Sequence, residues 1–438
     1  MVLAPQEKPD LVEQPKDPAK PQKRSRLSPL NQRRWRNFKR NRRALWSLWI
    51  FAILFGLSLF AEFIANDKPI YCQIDGQSYF PVFKEIAVDL GFSQIDANIN
   101  WKKQSYKNSL RPFILYAYDT KDLEITYASP FGKQGILSLR SRHWFGTDKL
   151  GRDIAAGLIN GTRTALLTGI IAMSIATFIG VFFGAIAGYF HDDKLKVSFV
   201  RLFLNIVGIV LGAFYGFMAR TYSISEGSFR EIILGFGILL FILYLANLLA
   251  SLLEKIPFFN KRFKFPADIL IMRLIEVMNS IPALLLLLSV VAIIDSPSIL
   301  NIMIIIGLIR WTGIARFVRA ELLRIRQLEY IQAAKALGFS EWRIILKHAL
   351  PNAVGPVLIS IAFGIASTIL IEATLSFLGI GVDANMVTWG SMLHDARSAP
   401  VYIWWLALFP GLAIFASVTI FNLIGEGLTD AIDAKQQN

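Results

Sequence analysis

The chain has 438 residues, 54% of them hydrophobic and 18% charged, with a formal net charge of +14. A soluble domain is usually about 45–50% apolar and about 25% charged, so the apolar excess points to a membrane protein. Nine of the fourteen net charges fall within residues 1–43, where 13 Lys/Arg stand against 4 Asp/Glu with no base-reading module beside them. That pattern suits a membrane flank and argues against nucleic-acid binding.

Residues 1–30 are rich in Pro, Lys and Gln with few aromatics, a composition that predicts disorder. The stretch "NQRRWRNFKRNRRALW" sets bases around Trp35 and Phe38, as expected of a helix lying at the lipid headgroups; the alternative is a plain basic flank. The polar leader is too long for a cleavable signal peptide. A first span is expected over about Ala44–Ala65, with residues 1–43 inside by the positive-inside rule. Residues 66–161 then form a small external domain with strand-like stretches "QSYFPVF" and "RPFILYAY". The second span, Thr162–Phe190, carries Gly180, Gly184 and Gly188 on one face, a spacing that lets two helix backbones approach closely.

Two more apolar runs, Val197–Ala219 and Glu231–Leu253, are long enough to cross as a hairpin within residues 194–266. Arg201 and Asn205 sit near the inner end of the first, where a long basic side chain can reach the headgroups. Residues 267–427 supply spans at about Ala267–Ile294, Ser298–Ala320, Val354–Phe377 and Tyr402–Gly425, and 428–438 form a cytoplasmic tail. The expectation is an all-α polytopic membrane protein with eight spans and both termini inside. Arg273 and Glu276, three residues apart, can pair on one helix face. Asn279, Ser280 and Pro282 interrupt an apolar run, and a proline there frees a carbonyl and bends the helix, so they are candidates for a transport path or gate. Glu372, toward the outer end of its span, reads equally as a packing residue or part of an outer gate. Asp148, Arg152 and Asp153 are expected to form a structural charged network at the start of the second span; paired acids alone do not make a catalytic site.

Between two spans lies a polar, basic stretch, "EYIQAAKALGFSEWRIILKHALPNA", with seven Lys/Arg and three Glu over residues 316–347. Gly338 can take the left-handed conformation that ends a helix. Ser340 is suited to cap the next helix and Glu341 to its positive end. Pro351 is expected to close that second helix. Ala333 and Ala334 put two small side chains on the first, leaving room for another protein's surface. The pattern therefore predicts helix, bend, helix on the inner face.

This stretch resembles the EAA loop of ABC-importer permeases, through Gln332-Ala333-Ala334, Gly338, His348 and Leu350-Pro351. Gln332 departs from the family's glutamate. "HWFGTDKLGRDIAAGLINGTRTALLTG", "RLIEVMNSIPALLLLL", "GLIRWTGIARFVRAELL" and "EATLSFLGIGV" with "TWGSML" resemble, in order, the C-type permease of dipeptide, oligopeptide and nickel importers. The external stretches "DGQSYFPV" and "FILYAYDT" look most like the branch that takes up microcin C and related peptides. The resemblance implies a type I ABC-importer permease core of six transmembrane helices, to which residues 194–266 add an inserted hairpin. It also implies a bacterial inner-membrane subunit that takes up peptides and is not itself an enzyme. Residues 329–351 would couple it to partner ATPases.

The chain has no GxxxxGK[ST] segment, no HExxH spacing and one cysteine, Cys72, so it offers no phosphate loop and no cysteine-based metal site of its own. By the resemblance, ATP and Mg would be held by two partner ATP-binding subunits. A second homologous permease, an external solute-binding protein, the peptide substrate and membrane lipid complete the expected partners. Three alternatives stand: a structural or signalling membrane protein, told apart by whether ATPase subunits co-purify; a nickel or other small-solute permease on the same scaffold; and a self-sufficient channel or secondary transporter. Against the last, no inverted repeat is evident and charges at membrane depth are few.

Overall fold

The computed structural model describes residues 29–74, 76–89, 108–135, 138–192, 196–220, 229–293, 298–380 and 386–432. The leader expected to be disordered, the connections at 221–228, 294–297 and 381–385, and the final residues 433–438 lie outside the described residues.

Helix α1 spans Pro29–Arg40. Its Trp35 and Phe38 rings stack at 5.7 Å with Lys39 over Trp35, but Phe38 is buried with Ala44 and Ala431, so only Trp35 of the expected pair is exposed. Helix α2, Arg42–Leu59, starts at Asn41, whose side chain accepts from the Ala44 N–H at 3.1 Å and donates to Asp430 at 2.9 Å. The run breaks at Phe60, earlier than hydropathy suggests, and α3, Ala61–Ile64, finishes it.

The segment that follows holds a three-stranded sheet. Strand β1, Tyr71–Ile74, lies antiparallel between β2, Gln77–Tyr79, and a third strand, β3, Ser109–Leu110. The strand expected through "QSYFPVF" ends at Tyr79, because Pro81 opens helix α4, Pro81–Asp89, at a position where its missing N–H costs nothing. "RPFILYAY" contributes a single bridge, Ile114 to Ala65.

Helix α5 covers Ile154–Ala185 and runs into a π turn, Ile186–Phe190. It begins eight residues before the expected span, because Asp153 accepts from the Ala156 N–H at 2.8 Å and caps the helix there. The preceding segment therefore ends at residue 153 rather than 161.

The inserted pair is α6, Phe199–Gly216, and α7, Phe229–Leu253, closed at its base by β4, Lys196–Ser198, against β5, Arg262–Lys264. The two helices pack on each other through Gly208, Gly212 and Gly216, which meet Ala246, Leu239 and Gly235. Arg201 pairs with Glu254 at 2.8 Å and Asn205 exchanges hydrogen bonds with Asn247, so these polar residues serve the hairpin rather than the headgroups.

The span expected over Ala267–Ile294 is two helices, α8, Ala267–Ser280, and α9, Ala283–Ile293, bent by 83° at Pro282. Helix α10, Ile299–Ile325, leads to the short α11, Glu329–Ala336, and α12, Glu341–Ile344. Next come α13, Leu350–Phe377, α14, Trp389–Arg397, and α15, Trp405–Ile432, which absorbs the start of the expected tail. Among the described residues seven helices are long and apolar enough to cross a membrane, and α8 with α9 makes an eighth crossing if counted as one.

The core is the seam between α5 and α10, which run in the same direction. A Cβ at Gly180, Gly184 or Gly188 would come within 2.8, 2.6 and 2.7 Å of the carbonyl oxygens of Trp311, Ala315 and Arg319. From the other helix, a Cβ at Gly307 would come within 2.9 Å of the Ala172 carbonyl oxygen. The neighbours are backbone, which cannot step aside. Gly184→Leu is expected to destabilise the purified protein by about 3 kcal/mol or more, the upper end of overpacking costs. Gly237→Leu, where nothing lies within 4 Å, should leave the thermal unfolding midpoint in detergent unchanged.

Candidate functional site

The stretch 329–351 folds as an elbow rooted in the core. Ile331, Ile344 and Ile345 are buried, while Gln332, Ala333 and Gly338 are exposed. Gly338 has φ +76°; its N–H donates to the Lys335 carbonyl at 2.9 Å, and the Phe339 N–H reaches Ala334 at 3.2 Å. This pair of bonds is the Schellman ending that a left-handed glycine permits. Gln332 donates to the Arg326 carbonyl at 2.9 Å. His348 stacks parallel on Phe339, with ring centroids 6.4 Å apart. Leu350 is half-buried and Pro351 exposed.

Three expectations are corrected here. Ala334 faces the core and is buried, so only Ala333 offers a small outer surface. Ser340 holds the N-cap position but its side chain makes no capping bond. Pro351 does not end the helix: a π turn, Ile345–Ala349, joins α12 to α13, and the chain is helical from Glu341 to Phe377. The wide turn opens the hydrogen-bond ladder just where Pro351 has no N–H to give.

The elbow also grips the end of α5. The Tyr189 hydroxyl donates to Glu341, Lys335 lies over the Tyr189 ring at 5.4 Å, and Phe190 meets Trp342 edge-on at 5.4 Å. Leu337, Trp342 and Leu346 are 74%, 55% and 60% exposed. Sequence reading passed over them, although large apolar side chains within a polar stretch are the signal of a contact surface.

Above the elbow, α10, α13 and the α8–α9 break line an open cavity of about 690 Å³. Asn279 lines it and accepts from Thr312 at 3.2 Å. Ser280 donates to its own helix at Val277, outside the lining, and Pro282 supplies the break. Glu372 is elsewhere: it is fully buried and accepts from Ser376 at 2.7 Å. Arg273 and Glu276 pair at 2.6 Å on an exposed face. Arg310, which lines the cavity from mid-α10, was missed because it hides inside an apolar run.

At the opposite end, Asp148 accepts from Arg152 Nε at 2.6 Å, and Arg152 reaches Asp395 at 2.6 Å, as Lys149 does at 2.8 Å. Burial alone would lower the Arg152 guanidinium pKa, but Asp148 and then Asp395 outweigh it and hold it above the ordinary value. Asp153 bonds His143 Nδ1 at 2.7 Å, and the His143 ring stacks on Tyr116 at 4.1 Å. Burial first, then Asp153 and Asp122, push the Tyr116 phenol up. The network thus includes Asp395 and His143, which lie outside the expected trio.

His191, Asp192 and Asp268 bring donor atoms within 4.8 Å of one another, a spacing open to a cation. Their carboxylates are already committed. Arg319 holds Asp268 at 2.5 and 2.7 Å, and Asp192 accepts from the Asp268 and Ile269 N–H groups. The cluster is a clamp between α5, α8 and α10.

The chain is thus a helical membrane bundle with an exposed elbow fixed to the helices around a cavity. Two family models match: the binding-protein-dependent transport system inner membrane component over residues 246–438, and the N-terminal TM domain of oligopeptide transport permease C over residues 28–81. The inner membrane ABC transporter permease protein YejE of Escherichia coli is 31% identical, over 89% of this chain and 92% of that one. The glutathione transport system permease protein GsiD of Pectobacterium atrosepticum is 31% identical over 67% and 73%. The dipeptide transport system permease protein DppC of Alkalihalophilus pseudofirmus is 32% identical over 72% and 79%. The chain belongs to the family of ABC-importer inner-membrane permeases. It is a multi-pass transport component rather than an enzyme, and membership implies ATPase and substrate-binding partners.

Asp395→Ala is expected to strip Arg152 and Lys149 of their shared partner and cost about 1–3 kcal/mol, the range for a partly buried charged hydrogen bond. Thermal unfolding and protease cleavage within residues 108–135 both read this; unchanged cleavage and midpoint would contradict the role given to Asp395.

Proposed function

We propose that this chain is the C-type permease subunit of an ATP-driven peptide importer of the bacterial inner membrane, with both termini cytoplasmic. The observation that carries the reading is the elbow, whose flanking helices α10 and α13 are the helices that line the cavity. ATP and Mg are held by two partner ATPases, a homologous second permease completes the path, and an external binding protein delivers the peptide. Closure of the ATPases displaces the elbow, which moves α10 and α13 as rigid bodies and exposes the cavity to alternate sides. The relatives named for dipeptide and glutathione systems support a peptide substrate. A bare nickel ion is disfavoured, because the cavity is lined by Arg310 and Arg316 and by no His, Cys, Asp or Glu. The finer reading toward microcin C-like peptides rests on the external segment.

Gly338→Leu tests the coupling. The left-handed position costs a side chain about 1–2 kcal/mol, and nothing within 4 Å in this chain blocks it, so the complex should still assemble. Uptake per ATP hydrolysed in proteoliposomes should fall about fivefold or more, the lower end of coupling energies. Wild-type uptake would remove the elbow from the mechanism. For orientation, cysteines at Ser340 and Leu139 in a Cys72→Ala background should react with an impermeant thiol reagent from opposite sides, Ser340 from the cytoplasm.

A further inference from the structure

Arg310 stands apart from the arginines of the bundle that a carboxylate holds. It lies in the 27-residue α10, about 17 Å from the helix start. A charge at that depth is costly, so it is usually paired or functional. Arg319, farther along the same helix, is held by Asp268; Arg201 is held by Glu254. Arg310 is half-buried and, among the described residues, bonds only the neutral hydroxyl of Ser367, with no carboxylate partner. That hydroxyl already donates to the Gly364 carbonyl at 3.0 Å, so it serves Arg310 as an acceptor alone.

The cavity around Arg310 continues the pattern. Its polar lining is Asn279, Thr312, Arg316, Ser360 and Ser367, with no acidic residue among them. Its volume of about 690 Å³ lies within the range of small-ligand sites, about 300–1,000 Å³. A guanidinium offers five donors in a planar fork that matches a carboxylate bidentately. A cavity with two arginines and no acid is short of one thing, an anion.

We propose that Arg310 is a specificity residue that receives a carboxylate of the peptide in transit, displacing Ser367 from its guanidinium. This rests on the peptide-importer reading. Every unmodified peptide carries such a group at its C-terminus, and acidic side chains supply the same chemistry.

The test uses the complete importer in proteoliposomes. Uptake is measured for a peptide of neutral side chains with a free C-terminus, for its C-amidated form, and for an amidated form carrying one glutamate. The free-to-amide uptake ratio is compared between wild type and Arg310→Gln with the same binding protein, so discrimination by that protein cancels. The ratio should fall about tenfold toward the value the binding protein alone imposes, the worth of one charge-assisted contact. If the glutamate peptide regains in wild type, but not in the variant, the uptake that amidation removes, a side-chain carboxylate substitutes for the C-terminal one, which also supports the proposal. An unchanged ratio overturns it, as does an equal loss for all three peptides, the result expected if Arg310 instead pairs with an acid of the second permease. Should Arg310→Gln fail to assemble, Arg310→Lys keeps the charge without the fork; the ratio should then fall to an intermediate value, and an unchanged one overturns the proposal. Failure of the wild-type importer to move any peptide would instead sink the peptide reading itself.

Discussion

The architecture depends on two helix backbones in near contact. Lipid is as apolar as the side chains facing it, so helices gain little by hiding hydrophobic surface from one another, and close van der Waals packing has to hold them together. Gly180, Gly184 and Gly188 on α5 meet Trp311, Ala315 and Arg319 on α10 in matched steps of four, and Gly307 extends the contact from the other side. With these two helices fixed, the remaining elements have defined places. The far end of α5 delivers Tyr189 and Phe190 to the elbow, and its start delivers Asp153 and the charged network.

The same rigidity sets out the mechanics. Helix α10 runs from the cavity into the turn before α11, and the helical stretch from Glu341 to Phe377 runs from the elbow back past the cavity at Ser360, Gly364 and Ser367. The π turn at Ile345–Ala349 is part of that same helical stretch, and its Ile345 and Ala349 side chains are buried. The exposed Trp342 and Leu346 therefore lie on the same helical stretch that lines the cavity. The 83° break between α8 and α9 gives the opposite wall a different character, since Pro282 leaves that pair of helices without a continuous ladder.

How much of this was legible in the sequence follows from which physics acts locally. Bilayer thickness forces long apolar runs, so the helices could be found. Their ends could not, because Asp153 and Asn41 start helices with side-chain caps that lie before the apolar residues begin. Gly338 was readable as a left-handed cap because only glycine takes that conformation cheaply. Pro351 misled, because a π turn accommodates it without ending the helix. Asp395 was invisible as a partner of Arg152, being 243 residues away in the chain. Arg310 was readable in principle: a lone arginine inside a run such as "GLIRWTG" is a signal that a hydropathy average smooths away.

The clamp at His191, Asp192, Asp268 and Arg319 has a consequence for the inserted hairpin. The chain departs after Asp192 and returns at Ala267, and Asp192 itself supplies the acceptor for the first N–H groups of α8. Both ends of the excursion are thus stitched together by bonds belonging to the core, and closing a longer loop costs only about 0.6 kcal/mol per doubling of length. In modular terms the hairpin is a graft on a sealed junction. Its length can change at little cost in closure entropy.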